Sequence, residues 1–168
     1  MSKPSFREIE ALIKKFKCVD RELSWNTKDS NMNYLFCAAQ VVDNENKTIE
    51  GCLFEGLFKQ NGVLTSEKYA FTVYLLRGSV KYRIFQLEVD DWNKITHRDK
   101  VNGNHTKGPH LHIGASEHWP ESRIINFGSE YKKFSFANWL LEYCKRGNLK
   151  LAHSLEHPAS QGSLDLSF

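Results

Sequence analysis

Phe6, Ile9, Leu12, Ile13 and Phe16 recur at the spacing of one helical face, while Arg7, Glu10, Lys14, Lys15 and Lys17 take the other side. Ser5 followed by Glu8 supplies a capping box, so the pattern predicts an amphipathic helix near the N-terminus. The polar stretch from Asn26 to Asn33 then predicts a loop. Beyond it the period shortens. Tyr34 to Val42 is an apolar run closed by Asp43-Asn-Glu-Asn46, and Thr48 to Phe58 leads to an Asn61-Gly62 turn signal. Tyr69 to Arg77 and Val80 to Val89 are joined by Gly78-Ser79, the composition of a two-residue type II′ hairpin turn. That turn sets Leu75 against Tyr82 and Val73 against Ile84 on one face, with Tyr74 against Arg83 and Thr72 against Phe85 on the other. Both faces carry apolar or aromatic groups, which predicts a central place in the sheet.

Asp90-Asp91-Trp92 closes the second strand; adjacent carboxylates on a strand face opposite sides, so they read as turn formers rather than as an acid–base pair. His110 to Ile113 predicts a short strand after Gly108-Pro109. Ser135 caps a helix bearing Phe136, Trp139, Leu140 and Tyr143, which stops at Gly147-Asn148. The elements predict one α+β domain over residues 1–152, an antiparallel β-sheet flanked by an N-terminal and a C-terminal helix. Residues 153–168 predict a weakly ordered tail.

Composition narrows the class. A chain of 168 residues with 40% hydrophobic and 26% charged positions can bury a core of its own, and no apolar run reaches the roughly 18 residues of a membrane helix. With no apolar signal segment, a cytoplasmic protein is expected. Cys18, Cys37, Cys52 and Cys144 are far apart and predict buried thiols rather than disulfides or zinc ligands. The formal charge of +3 permits contact with a polyanion without the strong basic bias of a dedicated nucleic-acid binder.

The candidate chemistry is concentrated. Five of the seven histidines (His97, His105, His110, His112 and His118) fall in one 22-residue window, where even scattering would put about one. If residues 110–113 are extended, His110 and His112 project from one face while Leu111 and Ile113 enter the core. Three readings follow. His110 and His112 with a third ligand from His97, His105, His118, Asp99 or Glu117 can hold a divalent transition metal (Zn, Mn, Fe or Ni), and His110, His112 and Glu117 echo the first metal motif of cupins without their second motif. Alternatively, His97, His105, His110 and His112 can act as acid and base in cleaving an RNA or nucleotide phosphodiester, with Arg98, Lys100 and Lys107 holding the anion and Trp119 offering a stacking surface. In the third reading the segment is a polar connection or a protein-recognition surface.

Val80–Val89, His97, Asn102-Gly103 and Gly108-Pro-His-Leu-His-Ile113 together resemble an uncharacterised group of small bacterial prophage and mobile-element proteins, whose pattern is a hairpin, a histidine with an Asn-Gly turn, then Gly-x-His-x-His-Ile. That resemblance implies a bacterial mobile-element setting and no particular activity. It makes a non-catalytic inhibitor of a protein target, of the anti-defence or toxin–antitoxin type, the alternative to the nuclease.

Overall fold

The computed structural model describes residues 2–28, 31–59, 67–98, 105–114 and 123–161. The chain is mixed α+β, with a large, mostly antiparallel sheet and three α-helices among the described residues. The central strands are Asn31–Val42 (β3), Thr48–Lys59 (β4), Lys68–Arg77 (β5) and Val80–Val89 (β6), a meander in which each pairs antiparallel with the next. Lys17–Val19 (β1), Asn26–Lys28 (β2), His110–Ile113 (β9), Arg123–Asn126 (β10) and Leu149–Leu151 (β11) extend it. The spatial order is β10-β9-β6-β5-β4-β3-β1-β11 with β2 also on β3, nine strands among the described residues and broader than a sheet simply flanked by two helices. β1 and β11 run parallel. Ile95–Arg98 (β7) and His105–Lys107 (β8) form a separate two-stranded sheet. No helix among the described residues is long and apolar enough to cross a membrane.

Local chemistry sets the helix starts. Both Ser5 and Ser135 make full capping boxes, with Glu8 and Asn138 respectively returning to the cap backbone, and they open Phe6–Lys14 (α1) and Phe136–Arg146 (α2). One face of the sheet is the core. Cys52, Phe54 and Phe58 of β4, Tyr69, Phe71 and Val73 of β5, and Phe85 and Leu87 of β6 are buried in one cluster with Ile9 of α1 and Trp139 and Tyr143 of α2. The Tyr143 ring stacks on Phe85 at 5.1 Å and lies 5.7 Å from Phe71.

Two segments differ from the reading of the sequence. Asn26 to Asn33 is not wholly a loop, because β2 and the start of β3 pair there. Residues 153–161, taken as the beginning of the tail, pack onto the body: Leu155 is buried, the Trp25 indole donates to the Glu156 carbonyl at 2.9 Å, and His157 sits edge-on to Phe58 and Phe136. Pro158–Gln161 forms a last short helix (α3). The Asn61-Gly62 turn and residues 162–168 lie outside the described residues.

The hairpin turn has positive φ at Gly78 and not at Ser79, as a type II′ turn needs, and Leu75 and Tyr74 face Tyr82 and Arg83 as expected. The register then shifts by one. Val73 pairs with Phe85 and Thr72 with Gln86, so the expected Val73–Ile84 and Thr72–Phe85 pairs do not form and Ile84 is the extra residue of a β-bulge. Without that bulge the straight register would put Leu87 opposite Ala70 and turn Glu88 toward the core. With it, Glu88 pairs with Ala70 and shares the opposite face with Gln86. The Ile84 carbonyl accepts from the Gly114 amide at 3.0 Å, which ties the bulge to the end of β9.

Lys17 is buried to 2% exposure beneath the end of α1, where its ammonium donates to the carbonyls of Leu12, Ile13 and Lys15 at 2.5, 2.9 and 2.5 Å. These are orphan acceptors at the negative end of the helix. Burial pulls the Lys17 amine down to about 8, which leaves it charged at neutral pH. Lys17→Met keeps the length of the stem and removes the donors. It is expected to cost about 1–3 kcal/mol in urea unfolding; an unchanged midpoint with an unchanged slope would show that the three bonds contribute nothing net.

Candidate metal centre

β9 lies against β6, and the register sets His110 beside Glu88 and His112 beside Gln86. Leu111 falls opposite Leu87 and is buried in the core, so the strand divides into an apolar side and an imidazole side as its alternation predicts. The third histidine comes from the separate hairpin. In β7–β8, His97 faces Thr106 and Arg98 faces His105. Alternation therefore sends His97 and His105 to opposite sides: His97 meets the cluster, whereas His105 and Lys107 are exposed.

His97, His110 and His112 form three nearly perpendicular rings with centroids 4.6–4.8 Å apart. The Nε2 atoms of His110 and His112 are 2.9 Å apart. Glu88 closes the group: its Oε2 lies 3.8 Å from His97 Nε2 and 3.7 Å from His110 Nε2, and its Oε1 lies 3.9 Å from His112 Nε2. The four donor atoms all lie within 4.8 Å of one another. Four ligands placed tetrahedrally at zinc–nitrogen distances are about 3.4 Å apart, so these side chains need only sub-ångström adjustments to surround one ion.

The proton positions suit that role. The Gly108 carbonyl, 2.8 Å from His110 Nδ1, can only accept, so Nδ1 carries the hydrogen and Nε2 presents its lone pair to the cluster. Gly108 can do this because its φ is +64° and a Cβ there would stand 3.0 Å from the Trp92 backbone. Burial pushes the His110 ring down, and it pushes His112 to about 2, with the charge of Arg83 adding to the effect. For Glu88, burial acts upward but is outweighed by the hydrogen bond with His97 and the charge of Lys68, which hold the carboxyl below the usual carboxylate range. The resting cluster is thus two neutral buried imidazoles beside an ionised carboxylate. One side stays open, since the side chains of His97 and Glu88 retain 22% and 18% exposure.

The other residues singled out from the sequence are placed differently. Glu117 lies outside the described residues, as do Lys100, His118 and Trp119; the carboxylate that joins the histidines is Glu88. Only the backbone of Arg98 is described. His105 is not among the clustered residues. Asp91 acts as the turn former the sequence suggests, its Oδ1 accepting from the Asn93 amide at 2.8 Å, whereas Asp90 is buried and its Oδ2 pairs with Lys94 at 2.9 Å and Lys68 at 3.3 Å. All four cysteines are free, and burial pushes Cys37 and Cys144 up to about 12 and Cys52 up to about 11, so these three remain thiols. Sequence reasoning missed Glu88. Its one local signal is a carboxylate alternating with Phe85, Leu87 and Val89 inside a strand otherwise suited to the sheet centre.

No family model, curated protein or solved structure matches this chain.

The depressed imidazoles make a pH prediction for metal-free protein. The folded rings stay neutral while the unfolded ones take up protons below about 6.5, so stability falls as pH drops through that value. Each ring that stays neutral contributes a loss of up to about 2.7 kcal/mol at pH 4.5. Urea unfolding in EDTA is expected to show this decline, and His112→Gln to flatten it. An equal decline in both proteins would place the acid sensitivity elsewhere.

Proposed function

We propose that Glu88, His97, His110 and His112 bind one divalent transition-metal ion, and that this centre serves hydrolysis of a phosphodiester in RNA or a nucleotide. The observation that carries the proposal is the convergence of three imidazole nitrogens and a carboxylate, from three separate strands, on one point at the edge of a half-open sheet face. Interiors rarely collect four polar groups for stability alone, because each must be desolvated and an apolar set of similar volume serves as well or better. Three nitrogens and one oxygen suit Zn, Fe, Mn or Ni, and they do not suit Mg or Ca, which prefer all-oxygen surroundings.

A cation of this class supplies Lewis acidity, polarising a phosphoryl oxygen and acidifying a water molecule. The chain supplies the rest. Glu88 lowers the net charge of the centre, and the Gly108 carbonyl fixes the His110 ring. Lys107 and His105 are exposed on the hairpin that carries His97 but alternate to the side away from it, so they do not extend the centre. A metal-free reaction with His110 and His112 exchanging protons is not favoured. Both rings are held neutral by burial, and their Nε2 atoms face each other rather than a bond to be cleaved. The resemblance to mobile-element proteins suggests a bacterial setting for such an activity.

Elemental analysis after zinc loading and dialysis is expected to find about one ion per chain. At a hundredfold excess over its dissociation constant the metal is expected to raise the melting temperature by about 5–11 °C. His112→Ala and Glu88→Gln should each lose at least tenfold in affinity, while His105→Ala binds as the wild type does. Trace metal only in the wild type would remove the centre. Full occupancy without cleavage of single-stranded RNA or of cyclic and linear dinucleotides would remove the phosphodiester chemistry and leave the metal site.

A further inference from the structure

The sheet face that presents Glu88 and His112 continues past them into a depression. Reading across the strands, one row runs His112, Gln86, Thr72, Glu55, and the row beside it runs His110, Glu88, Ala70, Leu57, Phe36. The two positions on β5, Ala70 and Thr72, are small, while Phe36, Leu57 and Tyr74 around them are large. The result is a cavity of about 280 Å³, lined by these five residues and by Gln86, Glu55 and Lys81. Neighbouring strands stand about 4.8 Å apart, so the floor of the cavity begins one strand away from Glu88 and two from His110.

We infer that this cavity is the base subsite of the adjoining centre: it takes the nucleobase of a nucleotide whose phosphate reaches the four-donor cluster. The chemistry of the lining selects the occupant. Tyr74 and Phe36 offer rings on which a flat heterocycle stacks, and Leu57 and Ala70 offer apolar surface. Gln86 Oε1 accepts from Arg83 Nη1 at 2.9 Å, and Arg83 Nε is itself held on the Gly114 carbonyl at 3.1 Å. That arrangement commits the oxygen of the Gln86 amide and assigns its NH2 donor, beside the Thr72 hydroxyl, to the cavity. The two charged residues of the lining neutralise each other, since Lys81 pairs with Glu55 while lying 4.3 Å from the centre of the Tyr74 ring. A pocket of aromatic walls, uncharged donors and no net charge fits a neutral heterocycle, not the phosphate itself. Its volume matches that of roughly nine water molecules, enough for a base with part of its sugar.

The inference rests on the reading of the neighbouring centre only for the phosphate end, so the two can fail separately. Calorimetric titration of zinc-supplemented protein with AMP, GMP, CMP, UMP and ribose 5-phosphate tests it. At least one nucleotide is expected to bind ten times more tightly than ribose 5-phosphate. Leu57→Trp, which fills the cavity, and Phe36→Ala, which removes an exposed ring, should each cut that preference at least fivefold with bound zinc unchanged. Equal binding of all five ligands, no binding of any, or a preference that survives both substitutions would overturn the base subsite. A base preference in protein that takes up no zinc would retain the subsite and remove the metal centre. Zinc uptake with no base preference would do the reverse.

Discussion

Glu88 and the histidines paired beside it lie on the side away from the core because β6 carries one residue more than β5 between the pairs Tyr74–Arg83 and Val73–Phe85. A strand has a period of two, so this single insertion at Ile84 reverses the facing of everything after it. Phe85, Leu87 and Val89 turn to the core, and Gln86 and Glu88 turn to the histidines. An unbulged hairpin would set Glu88 opposite Tyr69 on the core side. Bulges are over-represented next to functional sites for this reason, since they re-aim side chains.

The two faces of the same strands do different work. On the core side, aromatic packing from Phe54, Phe71, Phe85 and Tyr143 holds the central meander in place. That packing lets the opposite side carry groups whose desolvation is unfavourable, because the backbone beneath them cannot relax to solvate them. His110 and His112 are therefore fixed by the sheet, and His110 is further oriented by the Gly108 carbonyl. His97 is different. It arrives on a separate hairpin anchored by the Gly108 amide on the Lys94 carbonyl, and Asp90 holds Lys94 at the root of that hairpin. The cluster thus combines side chains fixed on the main sheet with a more exposed one from an accessory element.

What the sequence made legible was local. Both capping boxes, the Gly78-Ser79 turn and the shared face of His110 and His112 follow from residues within a few positions of one another; of the four cysteines read as buried thiols, Cys37 and Cys52 are buried and Cys18 and Cys144 only partly so. Apart from the pairing of β2 with β3, the misses concern register and distant partners. Nothing in Tyr82-Arg-Ile-Phe85 marks a bulge, because there is no glycine and each residue suits a strand. The parallel pairing of β1 with β11 joins segments about 130 residues apart and leaves no local trace. His97 and His105 look equivalent in sequence, and only the β7–β8 register turns one inward and the other to solvent. Glu88 was invisible as a ligand for the same reason, since its partner strand is separated from it by the whole accessory hairpin. Lys17 reads as part of the polar face of a helix, yet it lies beyond the end of α1 and turns beneath it.

The account stands or falls on four donors sharing one ion. The most direct measurement is the anomalous scattering of zinc in crystals of metal-loaded protein, collected on both sides of the zinc absorption edge. The account predicts one strong peak about 2.0–2.2 Å from His97 Nε2, His110 Nε2, His112 Nε2 and a carboxylate oxygen of Glu88. A peak bound elsewhere, or full loading with His110 and His112 still joined directly to each other and the site empty, would contradict it.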